Sequence, residues 1–301
     1  MSNQSNLFRE YLDSSRPGID AALDQFLPPA KGPAAVLREA MRYSVLGGGK
    51  RLRPVLCLAA YRLYHDNPAP AMPVACAFEM VHAFTLIHDD LPCMDDDDLR
   101  RGKPTCHKKF GESMAVLAGD ALHNFAYQVL ATHILDRFPA ATARGVLKLF
   151  TRSVGMVCEG QAVDMETEGS DPVPQLLEFI HENKTAALIV APVLCGAMCG
   201  GATREHLDAL TTFAAASGML FQNADDILDL AGDTAVTGKS GPGDEERGKL
   251  TTVRALGLDE AVALASGQRD RAVAALENVP RADVLTAFPQ LVFERIPESL
   301  R

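Results

Sequence analysis

Apolar residues recur at helical spacing along almost the whole chain, and no stretch shows the alternation of a half-buried strand. The pattern predicts helices near 4–26, 33–46, 52–65, 71–90, 112–135, 140–166, 173–182, 184–200, 204–230, 259–277 and 281–294. The breaks between them carry helix-stopping residues: Pro28-Pro29, Gly47-Gly48-Gly49, Asn67-Pro68, Gly102-Lys103-Pro104 and Gly169-Ser170-Asp171-Pro172. No segment has a linker's composition, so the expectation is a single all-α domain over 1–301. The longest polar interruption, 232–250, is Gly-rich; a loop of that length in a compact domain is usually functional, and it is read here as a lid.

Two aspartate clusters sit against apolar helical runs. The first is His88-Asp89-Asp90-Leu91-Pro92-Cys93-Met94-Asp95, continuing Asp96-Asp97-Asp98; the second is Phe221-Gln222-Asn223-Ala224-Asp225-Asp226-Ile227-Leu228-Asp229. On a helix Asp225, Asp226 and Asp229 project from one side, with Gln222 a turn earlier. Asp89 and Asp95 would diverge by about 120° on a straight helix. Pro92 disfavours its continuation, so a turn that returns Asp95 to Asp89 is expected. Crowded carboxylates repel and need cations. Oxygen-only donors suit hard ions, and Mg²⁺ is usually held by one or two carboxylates plus substrate phosphates. The pattern therefore points to a Mg²⁺-dependent site for a phosphorylated ligand, with a metal-holding wall from each half of the chain.

Cations cluster near both walls: Lys50, Arg51 and Arg53 after the triple glycine, then Arg100 and Arg101, then Lys184, Lys239 and Lys249. Arg forks match phosphate oxygens and Lys acts as a point charge. The net charge of −10 argues against a nucleic-acid partner and means that a diphosphate would depend on metal ions and these local cations. Seven cysteines without a Cys-x-x-Cys pair read as reduced thiols in a cytoplasmic protein; Cys195 and Cys199 read as small core side chains. The most apolar stretch, Thr185 to Gly201, is short and contains Pro192, so a buried helix is expected rather than a membrane insertion. No nucleotide-loop fingerprint is present. Glu79-x-x-His82 and Glu178-x-x-His181 fit the Glu-x-x-His element of di-iron bundles, but that reading leaves both aspartate clusters and the cations unexplained.

The order of Gly-Gly-Lys-Arg-Leu-Arg-Pro (48–54), His-Asp-Asp-Leu-Pro-Cys-Met-Asp (88–95), Leu-Arg-Arg-Gly-Lys-Pro-Thr (99–105), Ala-Gly-Asp-Ala-Leu (118–122), Gly-Gln-Ala-Val-Asp (160–164), Lys-Thr (184–185) and the second aspartate cluster resembles the short-chain trans-isoprenyl diphosphate synthases. The resemblance implies an all-helical bundle around a central cavity, usually a homodimer. It implies condensation of isopentenyl diphosphate with an allylic diphosphate. Three Mg²⁺ would be held by Asp89, Asp95, Asp225 and Asp229, with Asp90 and Asp226 beside them. Arg100, Lys184 and Lys239 would grip the allylic diphosphate, and Lys50, Arg51, His82 and Arg101 the isopentenyl diphosphate. Thr185 and Gln222 would place oxygens near the allylic cation, and Lys249 would close with the lid. The segment Lys249-Leu250-Thr251-Thr252-Val253 departs from the family's usual Lys-x-Thr-Tyr-Pro.

Bulk below the first cluster limits product length in such enzymes. Phe84 lies five residues before Asp89, roughly 7–8 Å along a helix axis. An aromatic there, with the longer Asp-Asp-x₄-Asp form, favours a farnesyl (fifteen-carbon) product over a geranylgeranyl one. A terpene cyclase would replace the second aspartate triad, and a non-catalytic subunit would have lost a cluster; neither change is present.

Overall fold

The computed structural model describes residues 3–230 and 248–301. Its helices run α1 Asn3–Phe26, α2 Ala35–Leu46, α3 Leu52–Arg62, α4 Met72–Asp89, α5 Cys106–Phe110, α6 Glu112–Ile134, α7 Ala140–Glu166, α8 Pro174–Ile180, α9 Ala187–Cys199 and α10 Arg204–Leu230. After the segment outside the described residues come Thr252–Leu256, Leu258–Ala275 and Asp283–Phe293. Every long helix expected from periodicity is present. Two short helices, Cys106–Phe110 and Thr252–Leu256, and a small hairpin pairing Leu99 with Pro104 and Arg100 with Lys103, were too brief to leave a period.

One expected boundary is absent. The break placed between 182 and 184 is a π turn, His181–Ala186, through which α8 continues into α9. One extra residue per turn shifts the apolar phase, which in sequence looks like a stop. Two glycines make room for it. A Cβ on Gly160 of α7 would collide with the Lys184 backbone nitrogen, and one on Gly218 of α10 would lie 2.6 Å from the Ala186 Cβ.

The helices share one apolar core running from Phe8 to Ile296. α4 lies along α6, α3 against α9, and α9 between α7 and α10. Phe8, Phe78, Phe150, Phe213 and Phe288 are wholly enclosed, each contributing about 1.5–3 kcal/mol by burial. The Phe8 and Phe288 rings, 5.0 Å apart, join the first helix to the last long one. The helical stretch Ala69–Asp89 is apolar and long enough to cross a membrane, but most of it is packed inside the protein, as is α9. Cys195 and Cys199 are buried, as expected, and all seven thiols are free.

Candidate active site

α4 ends at Asp89, and the turn expected at Pro92 follows. Asp90 donates its N–H to Leu86 O at 3.1 Å, and Asp95 donates to Asp89 O at 2.8 Å. Asp89 therefore faces a cavity of about 460 Å³, with Asp95 folded back beside it. Asp90 points elsewhere. Its buried carboxylate accepts from Arg100 Nε at 2.6 Å, and Arg100 also reaches Asp97 at 3.5 Å. Asp90, expected beside the metal ligands, and Arg100, expected at the diphosphate, are thus paired with each other; with Arg101 they line a second, small cleft.

The second cluster divides in the same way. Asp225 faces the cavity that Asp89 faces. Asp226 is buried and accepts from Gln222 Nε2 (2.8 Å), Thr252 N (2.7 Å) and Thr252 Oγ1 (2.9 Å), with His181 Nε2 at 3.4 Å. It is a pin that docks the 249–253 segment onto α10, which accounts for the Thr252 that stands in the family's tyrosine-proline region. Asp229 is one turn beyond Asp225 on α10 and outside the cavity lining.

The π turn presents Lys184 and Thr185 to the same cavity. Thr185 Oγ1 donates to Gln222 Oε1 at 2.6 Å, so a hydrogen-bond chain runs Thr185–Gln222–Asp226–Thr252. Lys184 Nζ meets Asp164 Oδ2 at 2.6 Å. Lys249 Nζ bridges Asp95 at 2.9 Å and Asp164 at 3.8 Å. Asp164, buried on α7, is therefore the anchor of two lysines aimed at the walls. The sequence held its signal, one turn after Gly160 on the same helix, but assigned it no role. Lys239 and the lid as far as residue 247 lie outside the described residues.

The two arginines after the triple glycine part company, and Arg51, expected at the isopentenyl diphosphate, is buried in ion pairs instead. Arg51 has a left-handed backbone, φ 53°, which turns its side chain into the protein. There it bonds Asp20 (2.7 Å), Glu79 (2.8 Å) and Val45 O (2.8 Å). Arg53, two residues on, lines the cavity with His82, and its buried Nε has no protein partner. Burial and the cations Arg53, Arg101, Arg100 and Arg51 hold His82 far below the usual imidazole range, so it offers a neutral hydrogen bond rather than a charge. The Arg51–Glu79 pair also removes Glu79 from any di-iron set.

Arg295, which the sequence could not place, is at the site. Its guanidinium meets Asp225 at 2.5 Å and lies 5.0 Å from the Phe221 ring centroid. Partial desolvation, then the charges of Arg295 and Arg101, lower the Lys50 ammonium pKa, while Asp225 opposes them. Lys50, Arg101 and Arg295 therefore share one electropositive corner.

Phe84 lines the cavity below Asp89. Behind it an aromatic column continues through His123 (4.9 Å), Tyr127 (5.1 Å), Phe150 (5.2 Å) and Phe78 (4.9 Å). Such a column resists displacement because each ring is packed on the next.

Burial raises the Asp89 carboxyl to about 6, helped by Asp95 and Asp90 and opposed by Lys184 and Arg100. Asp225 is raised too, by burial, with Arg295 holding it down. Converging carboxylates whose charged forms are disfavoured by burial and by one another, all of them oxygen donors, are the donor set a hard divalent ion satisfies. The residues present fit Mg²⁺.

The polyprenyl synthetase family model matches residues 34–284. A farnesyl diphosphate synthase of Geobacillus stearothermophilus is 42% identical over 251 residues, 83% of this chain and 84% of its own length. A heterodimeric geranylgeranyl pyrophosphate synthase large subunit of Arabidopsis thaliana is 45% identical over 261 residues, 84% of this chain and 70% of its own. Among solved structures, an FPP/GFPP synthase of Zymomonas mobilis superposes with a TM-score of 0.85 at 34% identity, covering 96% of this chain and 99% of its own. A geranyltransferase of Helicobacter pylori, complexed with magnesium and isoprenyl diphosphate, gives 0.83 at 28%, covering 98% and 99%. The chain belongs to the polyprenyl synthetase family and is a prenyltransferase of its short-chain isoprenyl diphosphate synthases.

Proposed function

We propose that this protein is a farnesyl diphosphate synthase that condenses isopentenyl diphosphate with dimethylallyl and geranyl diphosphates. The observation that carries the reading is that Asp89 and Asp225, from opposite halves of the chain, face one cavity whose lower wall is Phe84. Asp89, Asp95, Asp225 and Asp229 would hold three Mg²⁺, which supply charge neutralisation for the departing pyrophosphate. Asp90 and Asp226 support that set from behind, through Arg100 and through Gln222 and Thr252. Lys184 and Lys249, already aimed at the walls by Asp164, bind the same diphosphate, with Lys239 from the lid. Lys50, Arg53 and Arg101 bind the diphosphate of isopentenyl diphosphate, with His82 as a neutral donor.

Thr185 and Gln222 set oxygens beside the allylic carbon as positive charge develops there. Leu188, Val157 and Phe221 keep that region apolar, which matters because water would capture the cation. The seven free thiols support a cytoplasmic location, and the resemblance supports a homodimer.

Relatives of similar identity make geranylgeranyl or farnesyl products by name. The aromatic column behind Phe84 favours the shorter one. Incubation with isopentenyl diphosphate, dimethylallyl diphosphate and Mg²⁺, followed by chromatographic sizing, is expected to give a fifteen-carbon product. A dominant twenty-carbon product would make it a geranylgeranyl synthase instead.

A further inference from the structure

Beyond Asp95 the chain builds a second polar cluster that does not line the cavity. Asp96 takes a left-handed backbone, φ 51°, with its N–H on Leu91 O at 3.1 Å. The hairpin that follows closes when Thr105 donates its N–H to Asp98 O at 3.0 Å, and this returns His107 to the start of the loop. One oxygen of Asp96, one of Asp98 and one ring nitrogen of His107 then lie within 4.8 Å of one another.

Two exposed carboxylates alone make a solvated acidic patch; the imidazole adds an independent argument. His107 is 5% exposed, and its Nδ1 is 3.1 Å from Thr105 Oγ1. That hydroxyl donates to Asp98 O at 3.3 Å, so it accepts from the ring. A ring that donates there does so through Nδ1–H, the tautomer that leaves the lone pair on Nε2. Nε2 is buried and has no hydrogen-bond partner, an unfavourable state that a bound cation would relieve. A ring held through Nδ1–H with a free Nε2 is the arrangement of a metal-binding histidine whose outer partner fixes its tautomer. Lys108 also pairs with Asp98, its Nζ 2.6 Å from Oδ1.

We propose that Asp96, Asp98 and His107 bind a divalent transition ion of the Zn²⁺ class, separate from the Mg²⁺ of the active site. Mixed imidazole and carboxylate donors suit Zn²⁺, Mn²⁺ or Co²⁺, whereas all-oxygen sets suit Mg²⁺. The ion ties the loop after Asp95 to α5, with the hairpin bearing Arg100 between them, and so stiffens one acidic wall from outside.

The test is calorimetric titration of Zn²⁺ into the chelator-stripped full chain, in an Asp89→Asn/Asp225→Asn background that removes the competing cavity carboxylates. One Zn²⁺ per chain is expected, weakened at least tenfold by His107→Gln and by Asp96→Asn. Because His107 is buried, Asp96→Asn is the deciding variant: residue 96 is exposed, and asparagine tolerates its left-handed backbone. Absence of Zn²⁺ binding in the background protein, or an unchanged titration in Asp96→Asn, overturns the proposal.

Discussion

Arg51 and Arg53 stand two positions apart and have opposite employment, one in the core and one in the cavity. Breaking the buried Arg51–Glu79 pair leaves an uncompensated charge, so Arg51→Gln is expected to lower stability by about 3–5 kcal/mol. Arg53→Gln is expected to leave the melting temperature nearly unchanged and raise the KM for isopentenyl diphosphate by about tenfold, the loss of one charge-assisted contact. Thermal melts and initial rates on both variants check this pair. At Phe84, truncation to alanine opens the top of the aromatic column, and longer products should appear on chromatography. An unchanged product spectrum removes Phe84 from length control. Asp89 gives a pH signature. The unfolded chain loses this proton near 3.8, while the folded chain keeps it to about 6. The folded state thus binds the extra proton between those values, and stability from this group falls as pH rises from about 4 to 6 and stays lost above. The full effect is on the order of 3 kcal/mol. Thermal unfolding of metal-free protein across that window should show it, and Asp89→Asn should flatten that part of the profile.

At the level of elements, periodicity revealed the long helices because each buries a broad apolar face. It could not reveal the π turn, whose added residue breaks the phase, nor the five-residue helix Cys106–Phe110. The walls were legible because aspartates in apolar runs are conspicuous. Their division was not: Asp89 differs from Asp90, and Asp225 from Asp226, only by which neighbour folds behind it. Arg295 was illegible for the same reason, since only the packing of the last long helix brings it to Asp225. The π turn itself yields a test. Gly160→Ala pushes a methyl into Lys184 and displaces Lys184 and Thr185 together. Overpacking costs about 1–3 kcal/mol. Misplacement near 1 Å costs about a hundredfold in rate, so kcat should fall far more than the melting temperature. Equal loss of folded protein and of rate would mean the turn is merely structural.

For the whole molecule, a chain of net charge −10 collects its useful cations where its carboxylates converge. Lys249 holds Asp95 and Arg295 holds Asp225, so each wall carries a protein cation that Mg²⁺ would displace from its carboxylate, freeing Lys249 for the diphosphate. Two walls acting on one ligand is the central claim, and pyrophosphate is the simplest ligand that spans them. Calorimetry of inorganic pyrophosphate binding with and without Mg²⁺, on wild type, Asp89→Asn, Asp225→Asn and the double variant, measures it most directly. Binding that requires Mg²⁺, is abolished by either single change and is no worse in the double variant is the predicted result. Tight Mg²⁺-dependent binding that survives the loss of one wall would contradict it.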